Sequence, residues 1–123
     1  MKKLIFLCLF SINSLVFLSC VKNENAQRII GNWKGVSWLV NGQPSDYNIE
    51  STHFSFDDKG HYSFDYDGSK VSGSYKVEHD MLFTTLEDQR EIMVKIVQLV
   101  ADTLVFDMNR GGQAEMLTLV RTK

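Results

Sequence analysis

The 123-residue sequence has little cysteine and less proline. Cys8 and Cys20 are the only thiols and both lie near its beginning, so residues 21–123 can form no disulfide and must be held by packing alone. The single proline, Pro44, leaves the rest of the chain without the residue that most interrupts a hydrogen-bonded ladder. No apolar run reaches the ~20 residues that a membrane-spanning helix needs; the longest candidate, residues 4–18, is interrupted by Ser11, Asn13 and Ser14. There is no Gly-x-Ser-x-Gly elbow, no phosphate-binding loop and no reactive thiol after Cys20, which takes away the usual supports for nucleophilic catalysis. The expectation is a protein that is not an enzyme and that uses no cofactor.

What is present at the beginning is a targeting layout. Lys2 and Lys3 precede the apolar run, and Ser19 stands before Cys20, where the run gives way to the polar "VKNENAQ". The segment resembles a bacterial lipoprotein signal peptide, with "FLSC" in place of that family's usual Leu-Ala-Gly-Cys type box. The resemblance implies cleavage after residue 19, lipidation of Cys20 with diacylglycerol and an acyl chain such as palmitate, and a cell-envelope location, on the outer membrane. The alternative is an uncleaved anchor or an ordinary signal with an incidental cysteine. On the first reading, residues 1–19 are the signal, 20–27 a tether and 28–123 one domain. With Lys2 and Lys3 gone, 11 basic residues face 15 acidic ones, a net charge of −4 that disfavours nucleic acid as a partner.

From Arg28 onward the chain reads as eight strands, at 32–40, 51–57, 61–66, 69–77, 82–87, 91–100, 104–109 and 113–121, rich in aromatic and β-branched residues and divided by turn signals. Three turns set the register. Asp58-Lys59-Gly60 opposes Phe56 to Tyr62 and Phe54 to Phe64; Asp67-Gly68 opposes Phe64 to Val71 and Tyr62 to Gly73; Gly111-Gly112 opposes Phe106 to Leu117 and Leu104 to Leu119. All three put the aromatic residues on one face. Eight sequential strands on short turns avoid exposed edges most completely by closing, so the expected fold is all-β, an eight-stranded antiparallel up-and-down barrel, with a two-sheet β-sandwich as the alternative.

The opening "GNWKGVSW", with Gly31 and Trp33, and Arg121 near the end of the last strand resemble the lipocalin-like proteins, in particular the small lipocalin-like lipoproteins of Gram-negative, Bacteroidetes-type bacteria. The resemblance implies that Trp33 plugs the closed floor of the barrel with Arg121 packed across it by cation–π attraction; an ordinary core role for Trp33 is the alternative.

If Trp33 marks the floor, strand direction puts the loop 41–50 and the turns at 67–68, 88–90 and 111–112 at the mouth. The candidate ligand-binding residues there are Leu39, Tyr47, Tyr66, Ile92, Met108 and Glu115. Glu115, opposite Met108 on the inner face, either reaches solvent at the rim or orients a ligand. The histidines do not converge: His53 opposes Asp65 and His61 faces Asp57, pairs roughly 13 Å apart at ~3.3 Å per residue, so no metal site is expected. Two functions remain open: a monomer binding a small apolar or amphipathic molecule at the barrel mouth, or a barrel filled by its own side chains that meets a protein partner or serves an envelope-structural role.

Overall fold

The computed structural model describes residues 24–122. The segment assigned to the signal peptide, with Cys20 and the first residues of the tether, lies outside them.

Nine strands occur in chain order: β1 (Gly31–Val40), β2 (Gln43–Pro44), β3 (Thr52–Phe56), β4 (His61–Tyr66), β5 (Ser69–Glu78), β6 (Met81–Leu86), β7 (Glu91–Val100), β8 (Thr103–Arg110) and β9 (Gln113–Arg121). All except β2 form an antiparallel ring, β1-β3-β4-β5-β6-β7-β8-β9, which β1 closes by pairing with β9. The barrel expected from the turn pattern is therefore the fold, and the sandwich is not. The three turn-derived registers hold residue for residue. Asp67 and Gly68 take positive φ of 52° and 87°, as a two-residue turn between right-twisted strands requires.

The core is aromatic along the barrel axis. Phe54 stacks on Phe64 with centroids 4.5 Å apart and meets Phe106 edge-on at 5.6 Å, while Phe56 meets Tyr75 edge-on at 5.0 Å. Leu82, Leu104, Leu117 and Leu119 close the remaining space and are buried to 1% exposure or less. Such rings prefer these offset and edge-on contacts because the negative face of one meets the positive edge of the next.

Two local features differ from the sequence reading. The dipeptide Asn41-Gly42 is itself a hairpin turn, with φ of 52° and 80°, and it folds Gln43–Pro44 back on β1 as the short β2; the segment 41–50 is thus not one continuous loop. Residues 24–27, assigned to a tether, belong to a one-turn helix, α1 (Glu24–Arg28), docked on the floor of the barrel. Asn25 Nδ2 donates to the His79 carbonyl at 2.7 Å, and Ile29 is fully buried beneath the helix.

The two bulges have a larger effect. Between Gly35 and Ser37 the β1–β9 register shifts by one residue, and the same happens between Ile96 and Gln98 on β7. An extra residue reverses the inward and outward alternation beyond it. On β1 it turns Trp38 into the barrel. Leu39, which simple alternation from Trp33 places inside, pairs instead with the exposed Met116 and lies on the outer wall. Gly35 accommodates the irregularity: a Cβ there would stand 2.7 Å from Ile49 Cδ1, so the missing side chain makes room for Ile49.

Candidate ligand site at the barrel mouth

The floor fixes the orientation of the site. Trp33 is fully buried and donates its Nε1–H to the Ile29 carbonyl at 2.8 Å. The Arg121 guanidinium lies 4.3 Å from the Trp33 ring centre, with Nη1 donating to the Ile30 carbonyl at 2.8 Å and Nη2 to that of Arg28 at 2.7 Å. The Gly31 position favours glycine because its φ is +138°, and a Cβ there would also push Arg121 Nη1 from its place over Trp33. A guanidinium on an indole face is worth roughly 0.5–2 kcal/mol depending on its exposure, and the half-buried Arg121 also satisfies carbonyls at the end of α1.

At the other end the mouth has two unlike halves. The half formed by β1, the 41–51 segment and the β8–β9 turn is covered. Tyr47 lies over Trp38 with ring centroids 4.3 Å apart, and Tyr66 meets both edge-on. The Tyr66 hydroxyl accepts from the Asn48 backbone N–H at 2.9 Å, which ties the cover to the β4–β5 turn. Beneath it Glu115 is only 3% exposed. Its Oε1 accepts from Trp38 Nε1 at 2.8 Å and its Oε2 from Arg110 Nε at 3.3 Å. Arg110 also donates to the Tyr47 hydroxyl at 2.9 Å. Burial alone would lower the Arg110 pKa, but the Tyr47 hydroxyl and the Glu115 carboxylate outweigh it and hold the pKa above its ordinary value.

Glu115 therefore does not reach solvent at the rim. A carboxylate buried this deeply is retained because two donors meet it, and the pair works as a latch on the aromatic cover.

The half formed by β5, β6, β7 and the end of β8 is open. Val71 opposes Phe64 and Ile92 opposes Thr84, so both point inward, yet they are 41% and 45% exposed. The cause lies in the ladders. Pairing of β7 with β8 ends at Lys95 and Asp107, so residues 91–94 stay paired with β6 on one side but leave the ladder to β8, where Met108, Asn109 and Arg110 continue, on the other. Pairing of β5 with β6 ends at Gly73 and Leu86, so residues 69–72 extend past β6. Beside that end, Lys70, Val71, Leu86, Glu87, Asp88 and Arg90 line an open groove of about 380 Å³ with an apolar base and charged walls.

Of the residues expected at the site, Tyr47 and Tyr66 form the cover with Glu115 beneath it, and Met108 opposes Glu115 across the β8–β9 ladder. Ile92 stands apart on the open half, and Leu39 is outside the barrel. Reasoning from sequence missed Trp38 and Arg110. The signal for Trp38 was available: Trp33 and Trp38 have opposite parity on one strand, and a glycine between them is where a bulge forms. The histidine pairs remain separate, with His61 Nδ1 3.5 Å from Asp57 Oδ2 near the floor and His53 opposite Asp65 on the outer wall.

A closed antiparallel barrel whose floor is plugged by a Gly-x-Trp tryptophan under a last-strand arginine defines a lipocalin-type protein. The chain belongs to the lipocalin-like domain family, whose family model matches residues 29–106. Among solved structures it is similar to a lipocalin-like protein from Bacteroides uniformis, at 15% identity and a TM-score of 0.62, over 77% of this chain and 99% of that one. It is also similar to an uncharacterized protein from Bacteroides eggerthii, at 16% identity and a TM-score of 0.58, over 76% and 99% of the two chains. At these identities the likeness is one of fold. No curated protein matches the chain.

Proposed function

We propose that the protein is a lipid-anchored envelope protein that takes a small apolar or amphipathic molecule at the open half of its barrel mouth. The fold is compatible with ligand binding, and one observation carries the reading: Val71 and Ile92 point inward in register but are left uncovered, beside a groove that pairs an apolar base with Lys70 and Arg90. The Phe54, Phe56, Phe64 and Phe106 rings pack on one another inside the barrel, with Phe56 and Phe106 buried, and the ligand is placed above them across the mouth. Anchoring and location rest on the sequence around Cys20. Retention of a Cys20→Ser variant in the membrane fraction after a salt wash would exclude the anchor.

Ligand binding is tested by titrating the protein with an environment-sensitive fluorescent fatty acid. Ile92→Glu, at an exposed rim position, is expected to weaken uptake about tenfold or more, since a buried isoleucine side chain is worth ~1.5–3 kcal/mol, and to leave the melting temperature unchanged. The ring contacts inside the barrel also favour a second reading, in which the barrel has no small ligand and meets a protein partner. Absence of uptake by the unaltered protein would favour that reading.

A further inference from the structure

We infer that the lipid anchor holds the closed floor of the barrel to the bilayer, so that the mouth opens away from the membrane and exchanges its ligand with the aqueous side. The inference rests on the lipid-anchor reading of Cys20 and adds a direction to it. The described chain begins at the floor, and it is fixed there. Asn25 is bonded to the His79 carbonyl in the β5–β6 turn, the carbonyls of Arg28 and Ile30 are held by Arg121, and that of Ile29 is held by Trp33. These contacts leave α1 little freedom to swing toward the mouth.

Two lengths decide the orientation. From Cys20 to Glu24 the chain advances four residues, which span at most ~14 Å when fully extended. The longest strands, β1, β5 and β7, have 10 residues each. At ~3.3 Å per residue and a tilt of about 40°, such strands make a barrel roughly 25 Å tall. Turning the mouth onto the bilayer would require the tether to span that height from its fixed point at the floor, and it is too short by about 10 Å. The lengths thus exclude an inverted barrel whose mouth rests on the bilayer, and in the proposed orientation the open half at Val71 and Ile92 faces away from the bilayer in which the protein is anchored. A ligand has to arrive from the opposite side, carried in solution or delivered by another surface.

The sequence makes the test clean, because once Cys20 is acylated and the signal removed no free thiol remains. The full chain is expressed in a Gram-negative host with one added cysteine, at the floor (Lys59→Cys or Asp102→Cys) or at the mouth (Glu50→Cys or Gln113→Cys). All four positions are exposed. Each variant is weighed intact to read acylation, labelled with a fluorophore, and reconstituted in phosphatidylethanolamine–phosphatidylglycerol vesicles carrying a nitroxide on the lipid headgroup. Floor labels are expected to be quenched severalfold more strongly than mouth labels. Acylated protein whose mouth labels are quenched as strongly as its floor labels would overturn the orientation and leave the anchor standing. Protein that carries no acyl mass would overturn the anchor reading, and the orientation with it.

Discussion

At the scale of single residues, the mouth depends on one buried carboxylate. Glu115 lies on the inner face, and only the indole N–H of Trp38 and the guanidinium of Arg110 make its position tolerable. Trp38→Phe keeps the ring against Tyr47 but removes the donor, leaving Oε1 buried and unbonded. The expected cost is ~1–3 kcal/mol, that of an orphaned buried acceptor, and it should appear as a lower denaturant midpoint. Combining it with Glu115→Gln should recover part of the loss, because a neutral amide is cheaper to bury than a carboxylate. If Trp38→Phe is as stable as the parent, water reaches Glu115 and the cover is open in solution. Only part of this was legible from the sequence: alternation from the Gly111-Gly112 turn put Glu115 inside, but its partners are Trp38, which lies beyond a bulge on β1, and Arg110, which also reaches Tyr47 across the mouth.

At the scale of elements, what was legible is what short-range chemistry determines. Asp58-Lys59-Gly60, Asp67-Gly68 and Gly111-Gly112 each specify a turn by the residues that tolerate it, and each turn fixes the faces of the two strands it joins. Strand order followed, and with it the barrel. The bulges were not legible, because an inserted residue leaves the composition of a strand unchanged and shows only as a conflict of parity. Leu39 was assigned wrongly for that reason, and Asn41-Gly42 was read as loop because β2 has only two residues to mark it.

Gly73 carries the prediction at this scale. It opposes Tyr62 on one side and Leu86 on the other, and a Cβ on it would fall on the Thr85 carbonyl of β6. The close approach is to backbone, which cannot rotate aside as a side chain would. Gly73→Ala should thus destabilise by ~1–3 kcal/mol, although alanine is ordinarily a mild change in a strand. A melting temperature within a degree of the parent would mean that β5 and β6 separate at this point more easily than the register suggests.

At the scale of the whole molecule, closure by β1–β9 pairing joins the two ends of the fold, and an exposed turn at each end contributes to its response to acid. Two turn carboxylates have pKa values held below the ordinary aspartate value of 3.8. Asp57, beside the floor, is lowered chiefly by the backbone N–H groups of His61 and Lys59, which donate to its Oδ1 at 2.8 and 2.9 Å. Asp88, at the mouth, is lowered by the Arg90 N–H and side chain, the latter donating to Oδ2 at 2.8 Å. A carboxyl whose pKa is depressed in the fold takes up its proton first in the unfolded chain. The stability it contributes is therefore complete above the unfolded value and is lost as the pH falls through the lower, folded value. The window for both residues is the same, from about pH 4 downward, and because one turn lies at each end of the barrel both ends weaken together. Asparagine keeps the acceptor oxygen without the charge, so the Asp57→Asn, Asp88→Asn double variant should fold at neutral pH and show a shallower fall of melting temperature between about pH 4 and pH 2 than the parent. An identical acid limb in the two proteins would mean that these turns open before the barrel does, and that the acid response belongs to other carboxylates.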